Sequence, residues 1–215
     1  MQTLTLDHLV YAVPDLTVAV SELSDHLGVS AVYGGAHPGA GSHNALLSLG
    51  PTSYLEIIAP DPEQPYPERP RSFGLGTLIE PRLVTWAAGE PDLETRTAWS
   101  LARGYDPGRI MDAGRERSDG LRLAWRSTKR PEALQGLLPP GDGLVPFLID
   151  WGETPHPAQT SPLGCRLISM RGEHPDPASV SAILDALGIS LDVTYADRPA
   201  LCAVLAGPDG QFELR

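Results

Sequence analysis

The chain has 215 residues, of which 41% are hydrophobic and 20% charged, and its formal net charge is -11 at pH 7. This composition is typical of a globular protein and excludes a disordered one. The acidic balance argues against nucleic acid and membrane surfaces as partners, because both require basic patches on the protein. We therefore expect a small-molecule substrate or ligand.

The two cysteines, Cys165 and Cys202, are too few for a disulfide scaffold and lack the CxxC spacing of metal and redox motifs. We therefore expect two reduced thiols. No apolar run approaches the ~20 residues of a membrane span, and the first residues lack a signal-peptide pattern. These features predict a cytoplasmic location.

The first predicted strand lies in DHLVYAVPDL, residues 7–16, which opens on a histidine and closes on Pro-Asp, a helix-entry signal. Strand periodicity puts His8, Val10 and Ala12 on one face of this strand. A histidine that shares a face with two small residues can point into a cavity.

A helix is predicted next, because apolar residues recur at the spacing of one helical face and Gly28 is a natural stop. A short strand over 30–33 and a glycine-rich loop over 34–41 follow. His37 lies in this loop, where it could close over a ligand, although glycine loops without a phosphate-binding pattern are weak evidence.

Two further strands, 44–49 and 53–59, are joined by a tight turn at 50–52. The first module, residues 1–62, is therefore predicted as βαβββ, and a stiff proline-rich linker covers 63–81. Glu56 lies in the last apolar strand of this module. A carboxylate at such a position is costly unless it is paired or functional.

The second predicted module, residues 82–152, repeats this order with another Pro-Asp-Leu signal before its helix. Its strands are predicted over residues 82–87, 108–113, 121–127 and 145–151. A third, shorter module over 164–215 has a strand, a helix and a closing segment, LAGPDGQFEL, that echoes LSLGPTSYLEI of the first module. The spacing of these repeats is too long for a solenoid and indicates duplicated modules.

A repeated βαβββ module with a histidine on its first strand and a glutamate on its last resembles the vicinal oxygen chelate superfamily. This superfamily includes glyoxalase I, extradiol dioxygenases and bleomycin-resistance proteins. The stretches DHLVYAVPDL and HNALLSLGPTSYLEIIAPDP are most similar to its glyoxalase-like branch. The resemblance implies an α+β fold in which paired modules form curved, mostly antiparallel sheets around a cavity that holds a divalent metal ion.

By this resemblance, His8 and Glu56 occupy metal-ligand positions. Imidazole and carboxylate together suit iron, manganese, zinc or nickel, and Glu56 would also move a proton as the catalytic residue. Arg82 departs from the pattern, because it stands roughly where the second module would have its histidine. Asp150 could supply a further carboxylate if the strand register allows it.

Several other residues are candidates for substrate binding. The predicted hairpin places His43 on the order of 13 Å from the position opposite Glu56, too far for a shared metal, so we expect it at the cavity mouth. Strand aromatics could line the cavity, although they more often belong to the core. The predicted substrate-binding set is His43, Asn44, Arg82, Trp86, Trp125 and Asp150.

The leading hypothesis is a metal-dependent lyase or isomerase of glyoxalase type that acts on a small oxygenated metabolite. Dioxygenation is disfavoured, because no triad of two histidines and one carboxylate is visible. The alternative is a metal-free protein that binds or sequesters a small molecule, with Arg82 as a counter-charge. A scaffold or dimerisation module is a third interpretation. The modules could pair within one chain or between two, so a homodimer is possible.

Overall fold

The computed structural model describes residues 4–68, 70–116, 120 and 122–215. In the first module, the helices and strands are β1 (Thr5–Ala12), α1 (Leu16–Leu27), β2 (Val32–His37), β3 (Ser42–Gly50) and β4 (Ser53–Pro60). The Asp15 carboxylate caps α1 by accepting the Val18 N–H at 3.0 Å. Gly28 ends the helix in the left-handed conformation that favours glycine.

The second module has the same βαβββ order with one additional short helix. Its elements are β5 (Arg82–Gly89), α2 (Leu93–Leu101), β6 (Arg109–Glu116), β7 (Arg122–Lys129), α3 (Pro131–Leu134) and β8 (Phe147–Asp150). Leu121, the predicted first residue of the third strand in this module, lies outside the described residues. Asp92 caps α2 as Asp15 caps α1, which matches the repeated Pro-Asp-Leu signal.

The first two modules form one eight-stranded sheet with the strand order β2-β3-β4-β1-β5-β8-β7-β6. β1 and β5 are antiparallel neighbours at its centre, while each pairs in parallel with the last strand of its own module, β4 or β8. The two edge strands approach each other where Arg115 of β6 donates a hydrogen bond to the Gly34 carbonyl of β2. The predicted α+β fold is confirmed, and the modules pair within the chain.

The C-terminal unit has a four-stranded sheet of its own with the order β10-β9-β11-β12. Its elements are β9 (Arg166–His174), α4 (Pro177–Leu187), β10 (Val193–Tyr195), β11 (Ala200–Gly207) and β12 (Gly210–Leu214). The βαβββ order agrees with the prediction, but the strand pairing differs from that of the first module. The first strand, β9, pairs in parallel with β10 and has no ladder to the last strand, β12. The sequence echo therefore marks a similar hairpin and not a structural repeat.

One hydrophobic core connects all three units. It contains Leu9 from β1, Leu23 from α1, Leu144 before β8, Leu184 from α4 and Leu205 from β11, each at most 2% exposed. Burial of one such side chain contributes about 1.5–3 kcal/mol, so the C-terminal unit shares the stability of the main sheet.

Both cysteines, Cys165 and Cys202, are buried and free, as predicted. Burial raises the pKa of both thiols, which keeps them protonated and unreactive. Among the described residues, no helix is long and apolar enough to cross a membrane.

Candidate functional site

A cavity of about 230 Å³ lies against the face of the main sheet opposite the core, and both paired modules line it. On β1, Leu9 points into the core, whereas His8 lines the cavity. This alternation is the one predicted from strand periodicity. The residues at its polar centre are His8, His37, Asn44, Tyr54 and Glu56.

His8 is held on three sides. Its ring stacks on Tyr54 of the neighbouring β4, with the ring centroids 4.6 Å apart and an interplanar angle of 20°. Its Nδ1 lies 2.7 Å from Oδ1 of Asp7, and its Nε2 lies 3.8 Å from Oε2 of Glu56. The ring is only 3% exposed, so its orientation is set by these contacts.

Asp7 determines which nitrogen of His8 carries the proton. Burial alone would raise the pKa of Asp7, but hydrogen bonds from His156 and His8 hold it below its ordinary value. The ionised carboxylate also accepts the indole N–H of Trp151 at 3.1 Å. Because a carboxylate only accepts, the neutral His8 ring carries its proton on Nδ1, which leaves the lone pair of Nε2 toward the cavity.

Glu56 is the second proton-accepting group of the cavity. Its Oε1 accepts the Asn44 amide N–H at 2.6 Å, and its side chain is 12% exposed. In the β3–β4 ladder Glu56 lies opposite Leu46, one residue from the predicted position 47. The expected approach of His8 and Glu56 is thus observed, with their facing atoms 3.8 Å apart.

His37 lies nearer to this centre than the predicted flexible loop suggests. Residues 34–37 belong to β2, which has an irregularity between Tyr33 and Gly35. The His37 Nδ1 lies 2.9 Å from the Ser42 hydroxyl, and its Nε2 lies 4.0 Å from Oε1 of Glu56. Pairing with β3 therefore fixes the ring beside Glu56.

A cation also belongs to the cavity. Arg115 lines it, is 6% exposed and donates to the Gly34 carbonyl. A Cβ placed on Gly34 would lie 2.3 Å from Oδ1 of Asn44 and 3.2 Å from Nη2 of Arg115. Only glycine at position 34 leaves room for the Asn44 and Arg115 side chains. The Arg115 guanidinium therefore lies close to Asn44, which donates a hydrogen bond to Glu56.

The linker contributes to the cavity wall and is more than a spacer. Phe73 lines the cavity from a 3-10 turn at Ser72–Gly74, and its ring stacks on Phe147 of β8 with centroids 6.4 Å apart. The Arg71 side chain donates to the Gly41 carbonyl at 2.8 Å, which ties the linker to the β2–β3 connection.

Of the predicted substrate-binding residues, Asn44 and Trp125 line the cavity. Trp125 packs against Trp151 with ring centroids 5.3 Å apart. His43 is corrected: it does not line the cavity, because consecutive residues of a strand face opposite sides, and its ring contacts Tyr33 instead.

Trp86 and Asp150 also face away from the cavity. Trp86 lies in the core, where its indole N–H donates to the Leu144 carbonyl at 2.9 Å. Asp150 accepts hydrogen bonds from Arg126 at 2.9 Å and from the Gly152 N–H at 2.8 Å. On β8 the residues adjacent to Asp150, Ile149 and Trp151, line the cavity instead.

Arg82 was predicted to stand at the counterpart of His8 in the second module, and this prediction is wrong. It is exposed at the start of β5, where it pairs with Ala12 and does not line the cavity. Alignment of the two Pro-Asp-Leu signals places Thr85, not Arg82, at the counterpart of His8. No ion pair found in the described part of the chain joins Arg82 to Glu56.

The second module does not supply the metal ligands that the resemblance implies. Val10 lies beside Glu56 in the β1–β4 ladder, and its counterpart Ala87 lies beside Phe147 in the β5–β8 ladder. Phenylalanine and Thr85 therefore stand where further ligands would be expected. Within residues 4–68, 70–116, 120 and 122–215, no group of three or more His, Cys, Asp or Glu side chains could hold a metal ion. The donor set does not fit the implied metal.

Sequence reasoning missed Asp7, Trp151, His156 and Arg115. An acidic residue beside His8 in an apolar strand is a usable signal for Asp7, by the same argument that singled out Glu56. The other three carry no comparable signal, because their contacts join residues 81 to 149 positions apart in the chain.

Comparison with solved structures supports the fold. A hypothetical protein from Staphylococcus aureus is 15% identical, with a TM-score of 0.59, and the match covers 98% of this chain and 85% of that one. Methylmalonyl-CoA epimerase from Mycobacterium tuberculosis is 22% identical over 68% of this chain and 87% of its own, with a TM-score of 0.41. The match to the Staphylococcus aureus protein bears on the fold alone.

Comparison with curated proteins gives no match. The family model described as a Glyoxalase-like domain matches residues 6–188, which include both paired modules and the cavity between them. The chain therefore belongs to the Glyoxalase-like domain family, within the vicinal oxygen chelate superfamily.

Proposed function

We propose that this protein is an isomerase or lyase that moves a proton of a small oxygenated metabolite, with Glu56 and His8 as the proton-carrying residues. One observation carries the proposal. Two proton acceptors, Nε2 of His8 and Oε2 of Glu56, face each other at 3.8 Å in a cavity that both modules enclose. Two acceptors attract each other only when a proton or a hydrogen-bond donor lies between them. The arrangement can therefore accept a hydrogen of a bound substrate.

The proposed reaction begins at a C–H bond next to a substrate carbonyl. Glu56 accepts this proton, and the electron pair of the broken bond moves toward the carbonyl oxygen, forming an enolate. In an isomerase Glu56 returns the proton to the former carbonyl carbon, whereas in a lyase the enolate electrons expel a group from the carbon on the other side, and this leaving group takes the proton from Glu56. His8 accepts a substrate hydroxyl proton and returns it when the product forms.

Charge in the cavity supports this chemistry. The Arg115 guanidinium lies near Asn44, which binds Glu56, so a positive charge is available for the negative charge that develops on the enolate oxygen. Asn44 fixes the Glu56 carboxylate through a hydrogen bond of 2.6 Å.

Exchange of substrate hydrogen in D2O tests the proposal before the substrate is known. A panel of small 2-hydroxy and 2-oxo acids and aldehydes is incubated with the protein, and loss of the C–H signal is followed by proton NMR. We expect Glu56→Gln to abolish any exchange that the wild type catalyses, since the amide keeps the shape of the carboxylate but cannot accept the proton.

Glu213→Gln is the matched control. Glu213 is also a strand glutamate after a Gly-Pro turn segment, but it is half-exposed and pairs with Arg171 away from the cavity. This variant should exchange as fast as the wild type. Equal exchange in the Glu56→Gln variant and the wild type would overturn the catalytic assignment.

A metal-free binding protein is the second candidate. It is favoured because Thr85 and Phe147 stand where the second module would supply a histidine and a carboxylate as metal ligands. Arg115 then replaces Arg82 as the counter-charge for an anionic ligand, since Arg115 lines the cavity and Arg82 does not. This function predicts a compound of the panel that binds without exchange, and whose affinity survives Glu56→Gln. Calorimetric titration of the wild type and the variant separates the two functions.

Cytoplasmic location and a homodimer are further proposals from the sequence. The two modules that enclose the cavity pair through β1 and β5 of the same chain, so a second chain is not needed to form it. Sedimentation equilibrium measures the oligomeric state directly.

A further inference from the structure

His156 lies outside the cavity lining yet is connected to its centre. It precedes a 3-10 turn at Pro157–Gln159, and its Nδ1 accepts the Ala158 N–H at 3.2 Å. The proton of the neutral ring is therefore on Nε2, which lies 3.0 Å from Oδ2 of Asp7. The ring also packs edge-on against Tyr54, the residue on which His8 stacks.

Asp7 thus joins two histidines through its two oxygens. Oδ2 accepts from His156, and Oδ1 accepts from Nδ1 of His8 at 2.7 Å. We infer that His156 is a positioning residue, which acts through Asp7 to keep the proton of His8 on Nδ1 and the lone pair of Nε2 toward the cavity. The importance of His156 for turnover rests on the proposed function. Its effect on the position of the His8 proton does not depend on that function.

The physical reason lies in the burial of Asp7, which is 5% exposed. A buried carboxylate keeps one orientation only while donors hold both of its oxygens. Without His156, the Trp151 indole is the remaining described donor besides His8, and the carboxylate can turn toward it and away from Nδ1 of His8. A neutral His8 ring that has lost this acceptor can carry its proton on Nε2, which turns an N–H toward Glu56. His8 then no longer accepts a substrate proton.

Nitrogen NMR of the histidine rings in the wild-type protein is the first test. The chain has six histidines, and single replacements assign their signals. We expect His8 protonated on Nδ1 and His156 protonated on Nε2 at neutral pH. A wild-type His8 with its proton on Nε2 would overturn the inference without any activity measurement.

Two variants of similar length give the second test. Gln at position 156 keeps an N–H near the place of Nε2, whereas Met fills the same space without a donor. We expect His156→Met to move the His8 proton to Nε2 and to lower kcat/KM about 10-fold, a usual loss for an outer-shell partner. His156→Gln should restore the wild-type tautomer and keep kcat/KM within about twofold.

His26→Met is the control for loss of a histidine. His26 is exposed on α1 and stacks on Phe212, so this variant should match the wild type in both measurements. Equal impairment of the Gln and Met variants, or an unchanged His8 tautomer in the Met variant, would reject the positioning role. If His156→Met does not fold, the wild-type spectrum and the Gln variant still decide. Failure of the proposed function is detected separately, because the Glu56→Gln variant would then exchange substrate hydrogen as fast as the wild type.

Discussion

At the scale of single residues, the site depends on hydrogen bonds that fix proton positions. Asp7 accepts from His8, His156 and Trp151. Burial alone would raise its pKa, but the hydrogen bonds from His156 and His8 hold this pKa below the ordinary value. A group with a lowered folded-state pKa stabilises the fold above its unfolded-state pKa of about 3.9, and the contribution is lost as the pH falls through the folded-state value.

Replacement of Asp7 by Asn should therefore have a pH-dependent cost. At about pH 7 we expect Asp7→Asn to lower the free energy of unfolding by about 1–3 kcal/mol, because the neutral amide leaves buried donors poorly satisfied. The difference from the wild type should shrink in acid, as the wild-type carboxylate becomes protonated. Urea unfolding at several pH values measures both effects.

Asp185→Asn is the control for this experiment, because Asp185 is exposed on α4. It should unfold like the wild type at each pH. A difference between the wild type and Asp7→Asn that stays constant down to about pH 2 would contradict the assigned stabilisation.

The sequence predicted single residues well only where local periodicity decides. His8 and Glu56 reach the cavity because strand alternation and one hairpin turn determine their faces. Trp86 does not line the cavity although β5 begins at the predicted residue, because both faces of β5 are buried and the sequence pattern does not distinguish them. Asp150, whose role depended on the strand register, accepts from Arg126 instead. His156 could not be predicted, because its contact with Asp7 depends on a fold that brings together residues 149 positions apart.

At the scale of elements, the C-terminal unit packs onto α1 through a close backbone contact. A Cβ on Gly207 of β11 would lie 2.1 Å from the carbonyl oxygen of Leu27, at the end of α1. The same carbonyl accepts the Asp209 N–H at 3.4 Å. Glycine at position 207 is therefore what allows β11 and α1 to touch.

We expect Gly207→Ala to destabilise the protein by about 1–3 kcal/mol, because the added methyl group must displace backbone atoms. Gly76→Ala is the matched control: no atom lies within 4 Å of its added Cβ. The control should stay within about 0.5 kcal/mol of the wild type. Urea unfolding of both variants measures the difference. Equal free energies of unfolding would show that β11 accommodates the methyl group by a small shift and would contradict the prediction.

The βαβββ order of strands and long helices agrees with the prediction apart from the additional helix α3, because caps and glycine stops are local signals. The pairing within the C-terminal sheet was not predicted, since the same βαβββ order is compatible with both observed strand orders. Which edge of β9 receives the hairpin depends on packing against α1 and β5, and no short stretch of sequence encodes that choice.

At the scale of the whole molecule, the cavity is formed by both paired modules and stabilised by a core that all three units share. The main sheet is curled until Arg115 of one edge strand reaches Gly34 of the other. The second module therefore contributes cavity wall and a cation, while the first contributes the titratable centre. The two modules differ in this way because Thr85 and Phe147 of the second module occupy the positions that correspond to His8 and Glu56 of the first.

The hydrogen bond between Asp7 and His156 also has a consequence for the order of folding. It joins the first strand to a turn 149 positions later, and contacts of such separation close slowly. During synthesis, which proceeds from the N-terminus, β1 can pair with β4 long before residue 156 leaves the ribosome. His8 and Glu56 then adopt their positions early, while the proton on His8 acquires its final place only after residue 156 has emerged.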